Sequence, residues 1–262
     1  MSPVRFKFLP TKSFKSLILR REMPYPYTTL LKIGPISVFT FGFFMLLGFL
    51  LALFVILKRA KARVQEDHVY NVAIISLLTS LIGSRIAFII FNPQLFTSFW
   101  SYFAIWEGGM SFFGGFLLAL LSVFVYVRSK KLNFAQILDI LAPGIALSIA
   151  ITRIGGFLAG ANPGLPTELP WAFQGTHPVA LYHSLANFVI FFVLLKIDKS
   201  KLKEKFREGY LFAFFMLLFG VERFVNDFFR AYDSSATILA ARIAPLVLIV
   251  LAIFLLMRLK KK

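Results

Sequence analysis

Between Ile36 and Leu259 the sequence returns repeatedly to apolar runs of about twenty residues, the length a helix needs to cross about 30 Å of hydrocarbon. In lipid every backbone amide must find its partner within the protein, so such runs either form helices or close into a barrel. The two-residue alternation of barrel strands is missing, which predicts an all-α integral membrane protein. The expected spans are seven, at about 36–57, 69–91, a third ending near 127, 135–159, 178–197, 210–229 and 238–259. A hydrophobic share of 58% and a mean hydropathy of +0.78 lie far above the values of soluble domains. Residues 33–262 therefore read as one membrane domain behind a basic segment, 1–32.

The net charge of +17 raises the question of nucleic acid, but the positions of the charges answer it. Lysines and arginines cluster in short loops beside the spans, at 58–63, 128–131, 196–207 and 258–262, whereas the stretches 92–105 and 160–176 hold none. This is positive-inside patterning, and no nucleic-acid partner is expected. It puts the carboxyl terminus in the cytoplasm and, with seven spans, the amino terminus outside. The basic tail at residues 1–22 opposes that orientation. Met23, shortly before the first span, is a candidate start of translation, which would make the preceding residues an extension. No cleavable signal peptide is recognisable. With no cysteine in the chain, disulfides, thiolate metal sites and a thiol nucleophile are excluded; any thiol chemistry would use a thiol of the substrate.

Three arginines lie inside the apolar runs: Arg85 in L-I-G-S-R-I-A-F, Arg153 in I-A-I-T-R-I-G-G-F and Arg223 in F-G-V-E-R-F-V-N-D. An arginine at a span centre costs about 2.5 to 3.5 kcal/mol, so such a charge marks a functional site by default. All three spans run outward, and at 1.5 Å per residue the arginines lie about 24, 27 and 20 Å from the inner face. The expectation is one polar cavity in the outer half of the bilayer, with a lipid phosphate as counter-ion. Competing explanations remain open for two of them. Arg85 could snorkel to the interface, and Arg223 could pair with Asp227 one turn on or with adjacent Glu222.

The stretch G-G-M-S-F-F-G-G offers Gly108, Gly109, Ser111 and Gly114 for an anion-binding turn at a helix start, although close helix packing explains Gly114 and Gly115 equally well. The proline-rich segment from Ala161 to Pro178 should cap the outer mouth of the cavity. His177 and His183, next to this cap, are candidates for a base; they do not share a helix face, and no metal is expected.

Taken in order, I-G-P-I-S-V-F-T-F-G (33–42), L-I-G-S-R (81–85), W-E-G-G-M-S-F-F-G-G (106–115), L-D-I-L-A-P-G (138–144), R-I-G-G-F (153–157), H-P-V-A-L-Y (177–182) and F-G-V-E-R-F-V-N-D-F-F-R (219–230) resemble the prolipoprotein diacylglyceryl transferase family. The resemblance implies a bacterial inner-membrane enzyme without a cofactor. Its partners would be phosphatidylglycerol and prolipoproteins bearing a lipobox cysteine, to whose thiol the diacylglyceryl group passes as glycerol phosphate departs. It implies that Arg153 and Arg223 are catalytic. Substrate contacts are implied at Arg85, Phe113, Asp139, Gly155, His177, Tyr182, Glu222 and Asp227.

The chain also departs from the family pattern. Phenylalanine stands at 113 in place of a histidine favoured as base, Gly156 in place of an asparagine, and A-L-Y-H at 180–183 in place of glutamine-leucine-tyrosine-glutamate. Tyrosines are replaced by Phe41 and Phe219, a glutamate by Asp227, and a glutamate or cysteine by Ala161. Three readings follow. An active transferase would use His183 or His177 as base, or let the arginine field ionise the thiol. A related transferase would take another lipid or acceptor. A degenerate homologue would bind lipid or lipoprotein without turnover.

Overall fold

The computed structural model describes residues 25–33, 36–61, 63–96, 98–103, 110–232 and 235–261. Among the described residues there are seven α-helices: α1 (Thr40–Ala60), α2 (Glu66–Phe91), α3 (Phe112–Ser129), α4 (Phe134–Leu158), α5 (Val179–Lys199), α6 (Tyr210–Asp227) and α7 (Ser235–Leu259). Five are long and apolar enough to cross a membrane. Of the other two, α3 is short, and α6 carries Glu222, Arg223 and Asp227 within its 18 residues. The protein is a multi-pass membrane protein.

One element departs from the all-helical expectation. Thr29–Ile33 (β1) and Ile36–Phe39 (β2) form an antiparallel hairpin, with Lys32 opposite Ser37 and an irregularity between Thr29 and Leu31. The apolar run from Ile36 thus begins as strand, as the β-branched Ile36 and Val38 favour. The helix starts only at Thr40, whose amide donates to the Thr28 carbonyl at 3.0 Å. Met23, Gly108 and Gly109 lie outside the described residues.

Close backbone approach joins the helices in pairs, as expected where lipid supplies no hydrophobic drive between them. A Cβ at Gly114 would stand 2.2 Å from Ala87 Cβ and 2.4 Å from the Gly83 carbonyl oxygen, so α3 meets α2 at van der Waals distance there. Likewise a Cβ at Gly155 would fall 2.4 Å from Phe44 Cβ, where α4 meets α1. Helix α4 is the most enclosed, packed against α1, α5 and α6, with Ala142, Ala146 and Ala150 fully buried. The outward faces carry Leu50, Phe54, Ile82, Ile86, Leu121, Val189, Val250 and Phe254, an exposed apolar surface that suits acyl chains.

The basic loops gather at one end of the bundle. Arg59 and Arg63 both pair with Asp198, at 3.2 and 2.7 Å, and the Arg207 amide donates to the Leu259 carbonyl at 2.8 Å. Asp139 belongs to this end too. Its carboxylate accepts the amides of Gly209 and Phe212 at 2.7 and 2.8 Å and so caps the start of α6. Fourteen residues, about 21 Å of helix, separate it from Arg153, so its structural role corrects the expectation that it contacts the same substrate.

At the opposite end the segment from Tyr25 to Thr28 and the proline-rich loop close over α4 and α6. The Tyr27 amide donates to Leu158 and the Leu165 amide to Phe229, both at 2.8 Å. The Tyr25 hydroxyl reaches the Phe157 carbonyl at 2.9 Å while its ring meets Phe173 edge-on, and burial pushes this phenol above its ordinary range.

Candidate active site

Helices α4, α5 and α6 each bring expected site residues to the capped end. Arg153 comes five residues before the end of α4, His183 in the first turns of α5, and the pair Glu222 and Arg223 near the end of α6. Because α5 runs against the other two, its beginning meets their ends, and residues distant in sequence converge.

His183 is the pivot. Its Nδ1 lies against the Glu222 carboxylate, and its Nε2 is 3.2 Å from Arg223 Nη1. A guanidinium can only donate, so Nε2 is the acceptor and Nδ1 carries the hydrogen that Glu222 receives. The imidazole is therefore held as one tautomer, with its lone pair aimed at Arg223. His183 and Glu222 are only 2% and 4% exposed. Asn226, one turn beyond Glu222, donates to the same carboxylate oxygen at 3.1 Å, and Asn187 donates to the His183 carbonyl at 2.8 Å. Glu222 Oε2 and Asn187 Oδ1 are buried without a partner among the described residues.

Arg153 stands beside this group with no hydrogen-bond or ion-pair partner among the described residues. It is half-buried, and Glu222, Arg223 and Arg230 are the charges within its reach. Two or three guanidiniums sharing one carboxylate leave positive charge uncompensated in a place of low dielectric, which favours an anionic ligand. The planar forks of Arg153 and Arg223 suit phosphate oxygens.

The other expected residues take different places. Arg85 is 8% exposed and donates to the carbonyls of Tyr102 and Ser101 at 3.1 and 2.5 Å, with its guanidinium 5.1 Å from the Phe96 ring centre. It holds the segment after α2 and does not join Arg153. The pairing of Arg223 with Asp227 does not occur either, since the Tyr232 hydroxyl donates to Asp227 instead. Burial, and then that carboxylate, push the Tyr232 phenol above its ordinary range and keep it a neutral donor. Glu222 serves His183 rather than Arg223.

His177 lies in the cap, its Nδ1 3.2 Å from the Tyr182 hydroxyl, which also accepts from Trp171 Nε1 at 2.8 Å. Ser111 begins α3, its amide donating to the Ser84 carbonyl at 2.9 Å. Phe113 is 73% exposed, and Gly114 and Gly155 are the close approaches already described. Two further groups stand at the site. Asn187 is four residues from His183 and shares its helix face, which spacing alone indicates, whereas Arg230 lies beyond the end of α6, bridged to Gly164, where helical spacing does not reach.

A model of the prolipoprotein diacylglyceryl transferase family matches residues 28–258, which include every described member of this site. The chain belongs to that family. Among similar proteins are those named phosphatidylglycerol–prolipoprotein diacylglyceryl transferase from three bacteria. The one from Prochlorococcus marinus strain MIT 9215 is 31% identical over 239 residues, 79% of this chain and 80% of its own. That from Finegoldia magna is 32% identical over 231 residues, 83% and 88% of the two chains. For Janthinobacterium sp. strain Marseille the figures are 31% over 258 residues, 89% and 96%. Where the sequence resemblance implies a glutamate the chain has His183, and the structure supplies a carboxylate to that histidine from the neighbouring helix.

Proposed function

We propose that the protein transfers the diacylglyceryl group of phosphatidylglycerol to the lipobox cysteine of bacterial prolipoproteins. It does so in the inner membrane with seven spans, the amino terminus outside and the basic end in the cytoplasm. The gathering of the basic loops at one end supports that orientation, and the similar proteins' names support the substrates.

The observation that carries the reading is Arg153, unpartnered among the described residues, beside the Arg223, His183 and Glu222 cluster. In the proposed reaction the phosphodiester of the lipid lies between Arg153 and Arg223. To reach it Arg223 leaves Nε2 of His183, and the freed lone pair takes the proton of the incoming thiol. Glu222 stabilises the imidazolium that results. The thiolate attacks the diacylglyceryl carbon that bears the phosphate. A sulfur–carbon bond forms, the carbon–oxygen bond breaks, and its electron pair leaves on glycerol phosphate. The leaving group gains a negative charge that the two guanidiniums neutralise as it develops. Phosphate binding thus exposes the base, which makes lipid binding precede thiol activation.

Arg153→Ala tests this reading. In membranes supplied with phosphatidylglycerol and a lipobox peptide, the variant should form no thioether while remaining folded, and turnover at the original rate would refute the proposal.

A further inference from the structure

At the basic end, remote from Arg153, a cavity of about 410 Å³ opens between the loop after α1, the start of α4, the segment before α6 and the chain's last residues. Its lining includes Lys203, Arg207 and Lys261. Backbone pairing sets them side by side: the Arg207 amide donates to Leu259 and the Lys261 amide to the Lys205 carbonyl, each at 2.8 Å. None of the three side chains has a carboxylate partner among the described residues.

The two acids of the lining accept other donors. Asp139 accepts the amides that start α6, and Glu208 accepts the side-chain amide of Asn133. Arg63, also in the lining, is already paired with Asp198. What remains is a concave site with three unpaired cations from two segments, far more than loose snorkelling lysines require.

We infer that this cavity binds a phosphate-bearing anion, in first place the headgroup of an anionic phospholipid in the leaflet at the basic end. The location favours lipid over a free ion. Lys261 stands two residues after the end of α7, and the last turns of that helix expose Phe254 and Met257, so acyl chains can lie along α7 while the phosphate meets the three cations. The inference does not rest on the transferase reading.

The test uses full-length detergent-solubilised protein carrying Arg153→Ala, so that the other arginine site contributes least. Native mass spectrometry follows binding of short-chain phosphatidic acid, with phosphatidylcholine as the neutral comparison. Replacing Lys203, Arg207 and Lys261 together by glutamine should weaken phosphatidic acid binding about tenfold or more, and Lys203→Arg with Arg207→Lys and Lys261→Arg should retain it. Binding should also fall as salt rises, a readout available without any substitution in the cavity. Displacement of the lipid by millimolar inorganic phosphate would assign the cavity to a free phosphate, and resistance to it would assign the cavity to the headgroup. Affinity equal in the glutamine variant and its parent, or insensitive to salt, would overturn the inference.

Discussion

Replacing Glu222 by glutamine separates charge from geometry at the pivot of the site. The amide is nearly isosteric, can still accept the hydrogen of His183 Nδ1, and stays within reach of Asn226, so the packing of α5 on α6 should survive. What is lost is the negative charge facing the imidazolium that forms when Nε2 takes the thiol proton. A hydrogen bond to a charged group is worth about 1.5 to 3 kcal/mol against about 0.5 to 1.5 for a neutral one. Both side chains are at most 4% exposed, so solvent offers little screening. The difference of about 1 to 2 kcal/mol falls on the transition state and predicts a rate about five- to thirtyfold lower. The assay is thioether formation on a lipobox peptide at saturating phosphatidylglycerol, run beside the same peptide with selenocysteine. A selenol is ionised at neutral pH and needs no base, so Glu222→Gln should slow the cysteine peptide and spare the selenocysteine peptide. Equal slowing of both, or no slowing of either, would refute the assignment of His183 and Glu222 to proton transfer.

Arg223→Lys keeps the charge but loses the planar fork that reaches both Nε2 and a phosphate; transfer should fall about a hundredfold with the fold intact, measured in the same assay. Gly114→Ala forces a methyl onto Ala87 and the Gly83 backbone, so the α2 and α3 contact should open at a cost of about 1 to 3 kcal/mol, seen as a lower melting temperature in detergent. Asp139→Asn retains one acceptor for the two amides at the start of α6 and should cost about 0.5 to 2 kcal/mol of stability. Because about 21 Å of helix separates Asp139 from Arg153, turnover per folded molecule should stay within about twofold, as for distant independent sites.

The spans were open to reading from the sequence because length and apolarity are themselves the physical requirement for crossing lipid. Helix ends such as Tyr210 at the start of α6 and Leu259 at the end of α7 lie where the pattern places them. The hairpin was hidden because Ile36–Phe39 is as apolar as the helix it precedes, and composition cannot tell a strand from a first helical turn in so short a run. Arg153 announced itself as a charge without a carboxylate within a turn. The partners of Arg223 did not, since adjacent Glu222 and Asp227 at helical spacing suggested neutralisation within α6. Spacing on one helix says nothing of a histidine 40 residues earlier that arrives from an antiparallel neighbour.

That histidine explains how the chain departs from the family pattern without losing the site's charge balance. In the resembling sequences a glutamate occupies the place of His183, and a carboxylate there would stand among the same arginines. Here the ring takes its place, and the carboxylate stands on α6 at Glu222, one contact away. The cluster therefore holds a negative charge beside Arg153 and Arg223 together with an imidazole able to take a proton. In the proposed mechanism a base supplied from α5 removes the demand for one at Phe113, at the start of α3. With the carboxylate on α6 and the imidazole on α5, the electrostatics of the pocket are kept although His183 differs from the family pattern. Conservation of charge within the cluster, more than of residues at fixed positions, is the constraint that a low-dielectric site imposes.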